Sequence, residues 1–179
     1  MVSTDLPPHG LQLVIEFVNT RSIEQATDAI DTPTRLSSWL VDHGLLAEGS
    51  QPGTADDVLH AAQVREGLRA ALLAHTRGEA ERLAPLERAA RRGQLSVAFG
   101  EATARIVPRA AGIDGALASL LAPVARSTLD GTWQRMKACD APDCLEAFYD
   151  RSRNHAGRWC DMAVCGNRTK VRAYRAKRG

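Results

Sequence analysis

The sequence predicts an α+β fold in two modules. A mainly helical N-terminal domain over residues 1–132 carries one β-hairpin, and a small four-cysteine module follows over residues 133–179. Three observations predict this. Apolar residues recur at helical spacing through most of the first 130 positions. One stretch, "QLSVAFGEATARIVPRA", changes to strand alternation around a turn. All four cysteines fall in "CDAPDCLEAFYDRSRNHAGRWCDMAVCGNR", as C-x4-C, fifteen residues, then C-x4-C. With 179 residues, 44% of them hydrophobic, the chain can bury a core; with only 4% aromatic, aliphatic side chains and Ala must fill it.

The elements follow in order. "LQLVIEFVNT" fits a helical face through Leu11, Val14, Ile15 and Val18, and a strand through Leu13, Ile15 and Phe17; helix is the expectation. "DTPTRLSSWLVDHGLL" offers a cap at Asp31 or Thr32 and Pro33 at the first helical position. Its apolar face is Leu36, Trp39 and Leu40, with a stop at Gly44. "GSQPG" is a loop. Thr54 and Asp57 make a capping box for a long helix with Val58, Ala61, Ala62, Leu68 and Leu72 inward. Gly67 costs that helix about 1 kcal/mol relative to Ala. Pro85 marks a fresh helix start or a kink. Leu95, Val97 and Phe99 alternate, a turn falls at Gly100 and Glu101, and Thr103, Arg105 and Val107 return, which reads as the hairpin. From Asp114 a further helix buries Leu117, Leu120, Leu121, Val124 and Ala125, with Pro123 an awkward member.

Several classes are excluded as expectations. No run of eighteen apolar residues exists, so no membrane span is expected. "MVSTDLPPHG" lacks a basic region followed by an apolar stretch, so the expected home is cytoplasmic and reducing. His9, His43, His60 and His75 are scattered and read as surface or packing residues. No phosphate loop and no G-x-S-x-G occur, so an enzyme is not expected, although a pocket in the first domain is the competing idea.

Two cysteine pairs with a spacer long enough to double back suit one tetrahedral metal site. Structural zinc bound by Cys139, Cys144, Cys160 and Cys165 is therefore expected. Disulfides conflict with the compartment, a redox pair would favour C-x-x-C, and iron–sulfur clusters usually show tighter spacing. His155 is an alternative ligand. Four sulfurs fill the coordination sphere, which argues for a structural and not a catalytic ion. Some forty residues cannot stabilise themselves by burial alone. Leu145, Phe148, Tyr149, Trp159, Met162, Val164, Val171 and Tyr174 are expected to form a mini-core around the metal.

The end of the chain is basic. From Arg135 on, eleven Lys and Arg face five Asp and Glu, while the preceding 134 residues carry a net charge of −4. "GNRTKVRAYRAKRG" reads as a helix from Asn167, with Arg168, Arg172 and Arg175 on one face and Val171 and Tyr174 on a stripe docked against the metal core. Lys170 and Lys177 lie on the far side. Guanidiniums on a rigid helix suit phosphates and guanine edges, so DNA is the expected partner. Asn167 either touches a base or holds the knuckle, and the second role is favoured. The competing readings are arginines paired with Asp143, Asp150 or Asp161, and a zinc-stabilised protein-interaction module.

"RWCDMAVCGNRTKVRAYR" resembles the signature of the CGNR zinc-finger family, through Cys165, Gly166, Asn167 and Arg168. "CDAPDC" with "FYDRSRN" resembles its first knuckle and hairpin. "LQLVIEFVNTR", "TPTRLSSWLVDHGLL" and "VREGLRAALLAH" look like the ABATE domain that usually precedes it. Ile15 and Glu16 stand where the family more often has Leu and Asp. The resemblance implies a bacterial protein of the kind described as stress-induced transcription regulators, with a DNA-binding, treble-clef-like finger of knuckle, hairpin, knuckle and helix. A small-molecule effector at the N-terminal domain, and a homodimer, are the further expectations.

Overall fold

The computed structural model describes residues 7–80, 83–101, 103–176 and 178. The first helix, α1 (Leu11–Val18), buries Leu11, Val14, Phe17 and Val18, so the helical reading of the ambiguous run holds. Two short strands, β1 (Arg21–Ser22) and β2 (Thr27–Asp28), pair antiparallel. Helix α2 (Pro33–Asp42) starts at Thr32, whose side chain accepts from the Arg35 N–H, and Gly44 follows with φ +67°. Helix α3 (Ala55–Arg77) is capped by the Thr54–Asp57 box and ends on left-handed Gly78. Helix α4 (Ala84–Arg92) has Pro85 in its first turn, and strands β3 (Ser96–Phe99) and β4 (Ala104–Val107) form the hairpin, with Ser96 opposite Val107.

The single helix expected after Asp114 is two: α5 (Gly112–Ser119) and α6 (Leu121–Leu129). The helix breaks at Leu120, and this resolves the awkward proline. Pro123 sits in the first turn of α6, where a backbone N–H has no helical partner to lose. Gly67 also finds its reason. A Cβ there would lie 2.8 Å from Pro85 Cβ, so α3 and α4 touch through it. Gly67→Ala should therefore lower the denaturation midpoint: crowding costs about 1–3 kcal/mol against about 1 kcal/mol of gained helix propensity.

After a 3₁₀ turn (Thr132–Arg135) come β5 (Met136–Ala138) and β6 (Ala147–Tyr149), antiparallel with Met136 opposite Tyr149. The two strands flank the first cysteine pair, one before it and one after. A π-helical turn (Met162–Gly166) leads straight into α7 (Asn167–Ala176).

The core gathers around α3, and residues on both sides of position 132 share it. Leu68, Ala71 and Leu72 lie in one buried cluster with Trp133, Met136, Ala138 and Ala147. Polar contacts seal the same seam. Thr76 Oγ1 donates to Ala138 O at 2.7 Å, His75 Nδ1 meets Met136 O at 2.7 Å, and Arg69 Nη1 donates to Leu145 O at 2.8 Å. The Asn19 side chain both donates to Ala147 O (3.0 Å) and accepts from Ala147 N (2.7 Å), standing in for a neighbouring strand. The β5–β6 hairpin is thus held by the helical core.

This corrects the expected mini-core. Among the described residues the buried cysteine cluster takes in Ala141 and Trp159, Tyr149 packs on the main core, and Met162, Val164, Val171 and Tyr174 are exposed. Among the scattered histidines, His60 is buried and His43 stacks on Trp39. The side chain of His9 lies outside the described residues.

Candidate metal centre

The first knuckle turns between β5 and β6. Cys139 N donates to Glu146 O at 2.8 Å and Cys144 N to Ala141 O at 2.9 Å. Leu145 closes the turn with φ +57°, a conformation uncommon for a branched side chain, and Arg69 holds its carbonyl. The second knuckle is built on Asp161. Its carboxylate accepts from Val164 N, and its carbonyl accepts from the N–H groups of Cys165 and Gly166. The knuckles are tied together by Asp140 N donating to Arg158 O at 2.9 Å and by an Arg158–Asp140 ion pair.

The sulfurs of Cys139, Cys144, Cys160 and Cys165 all lie within 4.8 Å of one another. Cys144 and Cys160 are 3.6 Å apart and Cys160 and Cys165 3.7 Å. A tetrahedron of Zn–S bonds near 2.3 Å has edges of about 3.8 Å, so the set fits one zinc ion and is far too wide for a disulfide. Without a cation, burial pushes the Cys144 thiol up to about 12 and raises Cys160 as well. A bound divalent ion reverses that preference and holds the sulfurs as thiolates. Among the described residues the converging group contains the four sulfurs and no histidine, so the His155 alternative is not supported.

The spacer between the knuckles is ordered without metal ligands. Lys137 and Asp150 form a buried pair at 2.9 Å, with side chains 5% and 3% exposed. Lys137 Nζ also donates to the carbonyls of His155 and Gly157. Asp150 accepts from the N–H groups of Ser152 (2.9 Å) and Gly157 (2.8 Å). Nothing in the spacing of these two residues announced the clamp, because it depends on a loop folding back.

Arg168 joins three groups. Its Nη2 approaches Cys165 Sγ at 3.4 Å, its Nη1 donates to Glu24 Oε1 at 2.6 Å, and its Nε lies 3.3 Å from Asp143 Oδ2. Glu24 sits in the loop between β1 and β2. That loop is pinned from α3 by buried Arg65, which holds Asp28 with two bonds of 2.8 and 2.7 Å. Asn167 Nδ2 donates to Ala163 O at 2.9 Å, which spans the π-helical turn. A Cβ on Gly166 would meet Met162 Sδ at 2.4 Å, so the turn folds tightly over it.

Every residue of the C-G-N-R stretch therefore takes part in the knuckle. Residues 11–131 match the ABATE family, described as "Putative stress-induced transcription regulator", and residues 135–178 match the CGNR zinc finger. The chain belongs to the ABATE family. Its C-terminal part is a CGNR zinc finger whose four cysteines are positioned for a structural zinc ion. Neither family is one of enzymes, and no curated protein matches the chain. No helix among the described residues is long and apolar enough to cross a membrane.

In this ABATE protein the basic helix stands differently from the sequence expectation. Helix α7 has no buried residue, and Val171 and Tyr174 are 48% and 59% exposed, so the apolar stripe does not dock on the metal core. The helix is anchored through its first turn, by Asn167, Arg168 and Thr169, and through Arg172 in its second, which holds Asp143 of the first knuckle. Arg168 turns towards sulfur and Glu24, whose carboxylate, followed by that of Asp143, holds the guanidinium even more firmly charged. Arg172 grips both oxygens of Asp143, at 3.0 and 2.7 Å. Lys170 and Arg175 are exposed, without an ion pair among the described residues. Lys177 lies outside the described residues. Of the acids weighed as neutralisers, Asp143 plays that part, whereas Asp150 binds Lys137 and Asp161 caps the turn.

An N–H···S bond from a fixed cation spreads thiolate charge, and groups supporting metal ligands typically control affinity by 10–100-fold. Arg168→Gln should weaken zinc binding by about that factor, read by competition with a chromogenic chelator. Unchanged affinity would show the Arg168–Cys165 contact to be incidental.

Proposed function

We propose that this ABATE protein regulates transcription by binding DNA through α7, with Lys170, Arg172 and Arg175 meeting phosphates and Lys177 extending the row. The carrying observation is a basic helix with no buried residue that follows directly on a four-sulfur knuckle. A helix with no buried residue, held to its finger by its first turn and by one ion pair at Arg172, can enter a groove along much of its length. In this reading Arg168 anchors the helix and Asn167 stiffens the turn, so their contribution to DNA affinity is indirect. Asp143 competes with phosphate for Arg172. The helical part serves as sensor or dimerisation module.

The test is binding of the zinc-loaded protein to a random duplex across a salt series. Three phosphate contacts give a log–log slope of about −2.7, at about −0.9 each, and Lys177 as a fourth brings it to about −3.6. Arg172→Ala should reduce that slope by about one contact, and Asp143→Asn, which frees a guanidinium, should tighten binding. Unchanged affinity in both variants would remove α7 from the interface.

A second reading has its own observation. Met162, Val164, Val171 and Tyr174 are exposed apolar residues on the same small finger, and this suits a protein partner. That partner would bind with weak salt dependence.

A further inference from the structure

The four sulfurs of the knuckles are not equivalent. Cys139, Cys144 and Cys165 are buried, at 0%, 2% and 3% exposure, and Cys160 alone of the four is partly exposed. Cys160 also touches two of the others, with Cys144 Sγ 3.6 Å away and Cys165 Sγ 3.7 Å away. Those two neighbours differ in turn. Cys165 Sγ takes the Arg168 guanidinium at 3.4 Å, a cation that draws on its charge, whereas a donor to Cys144 is the neutral N–H of Glu146. A charge-assisted bond leaves a thiolate the weaker nucleophile. Cysteine oxidation follows thiolate character and access, and the oxidised sulfur is then captured by a thiolate within reach.

We propose that Cys160 is the oxidation site of this finger, with a peroxide as oxidant and Cys144 as the partner that captures it. The Cys160 thiolate attacks one oxygen of hydrogen peroxide. An S–O bond forms, the O–O bond breaks and hydroxide leaves; the sulfur gives up two electrons and the peroxide takes them. The Cys144 thiolate then attacks the sulfur of that sulfenic acid, forming the S–S bond and expelling a second hydroxide. Two thiolates and one peroxide become one disulfide and two hydroxides. Cys139 and Cys165 remain, too few sulfurs to close a tetrahedral site, so zinc is released. The new bond spans the knuckles where Asp140 N already donates to Arg158 O at 2.9 Å, so the knuckles stay joined. The start of α7 has no share in that bond. Arg168 and Thr169 tie it to Cys165, whose metal is gone. Oxidation therefore loosens the basic helix. Only the consequence for DNA rests on the reading above; the chemistry at Cys160 does not.

Every cysteine is a metal ligand, so the test uses the unaltered full-length protein, loaded with zinc and freed of excess metal. Limiting hydrogen peroxide is added with a chromogenic zinc indicator present, remaining thiols are counted, and the unreduced protein is digested with trypsin. Cleavage after Lys137, Arg151, Arg158 and Arg168 puts Cys139 and Cys144 in peptide 138–151 and Cys160 and Cys165 in peptide 159–168. Zinc release should keep pace with the loss of about two thiols for each ion. The two peptides should appear joined, with fragmentation placing the bond between Cys144 and Cys160. A cyclic 1,3-diketone added with the peroxide should be captured at Cys160 and should suppress the disulfide. A disulfide confined to either peptide, capture at another cysteine, or zinc retained while thiols are lost would overturn the proposal. So would sulfinic acid at Cys160 with no disulfide. Duplex binding is followed separately, and should be lost with the zinc and return with a dithiol and fresh zinc. A native protein that binds no duplex counts against the DNA reading alone, because the peptide map is read without DNA.

Discussion

Chelating zinc from the intact protein should unfold the finger and leave the rest standing. Structural zinc contributes on the order of 10 kcal/mol to modules of this size. The buried cysteine cluster takes in little besides Ala141 and Trp159, and α7 has no buried residue, so apart from a few ion pairs and hydrogen bonds zinc is the main source of order in the second knuckle and the helix. The β5–β6 hairpin differs. Met136 and Ala138 are fully buried against the helical core, and Thr76, His75 and Asn19 hold its backbone. Hydrogen exchange should therefore show protection lost at Cys144, Cys165, Gly166 and along α7, and kept at Met136 to Ala138. Cys165→Ser should reproduce the pattern. If amides of the second knuckle stayed protected without metal, zinc would not be what orders the finger. Acid should act like the chelator. Burial pushes the Cys144 thiol up to about 12, so zinc must displace protons, and its affinity falls as pH falls.

Replacing Lys137 by Met should cost about 3–5 kcal/mol, because it leaves Asp150 charged, buried and without its partner. Denaturant midpoints measure it. Lys137→Met/Asp150→Leu should recover part of the loss, since an apolar pair no longer strands a charge. Recovery should be incomplete, because the N–H groups of Ser152 and Gly157 still lose their acceptor. A single variant as stable as the parent would show that the clamp does not order the spacer. The pH dependence has a definite sign. Burial alone would raise the pKa of Asp150, but bonds from Ser152, Lys137 and the Gly157 N–H outweigh it and hold the carboxyl well below the usual range. Its contribution is then complete above the unfolded value of about 3.9 and is lost as pH falls through the depressed folded value. The clamp should survive at pH 5 and fail only in stronger acid.

Much of the local structure was legible because it is governed by neighbours in sequence. The Thr54–Asp57 box, the start at Pro33 and the 96–107 hairpin each need only three to twelve consecutive residues. Pro123 was misjudged for a related reason. A proline forbidden inside a helix is harmless in its first turn, and the break at Leu120 between α5 and α6 puts it there. The clamp and the Glu24–Arg168 contact were illegible. They join residues 13 and 144 positions apart, and each exists only because α3 holds the intervening chain in place.

The sequence by itself determined the metal. Four cysteines in two close pairs can satisfy one tetrahedral ion, and that spacing is a local property readable without a fold. Tertiary structure alone decided what the arginines beside it do. Helical periodicity put Arg168, Arg172 and Arg175 on one face, but it carries no information about which carboxylates other segments deliver. Glu24 and Asp143 arrive from loops fixed elsewhere, and attraction at hydrogen-bond distance turns Arg168 inward to sulfur while Arg175 stays in solvent.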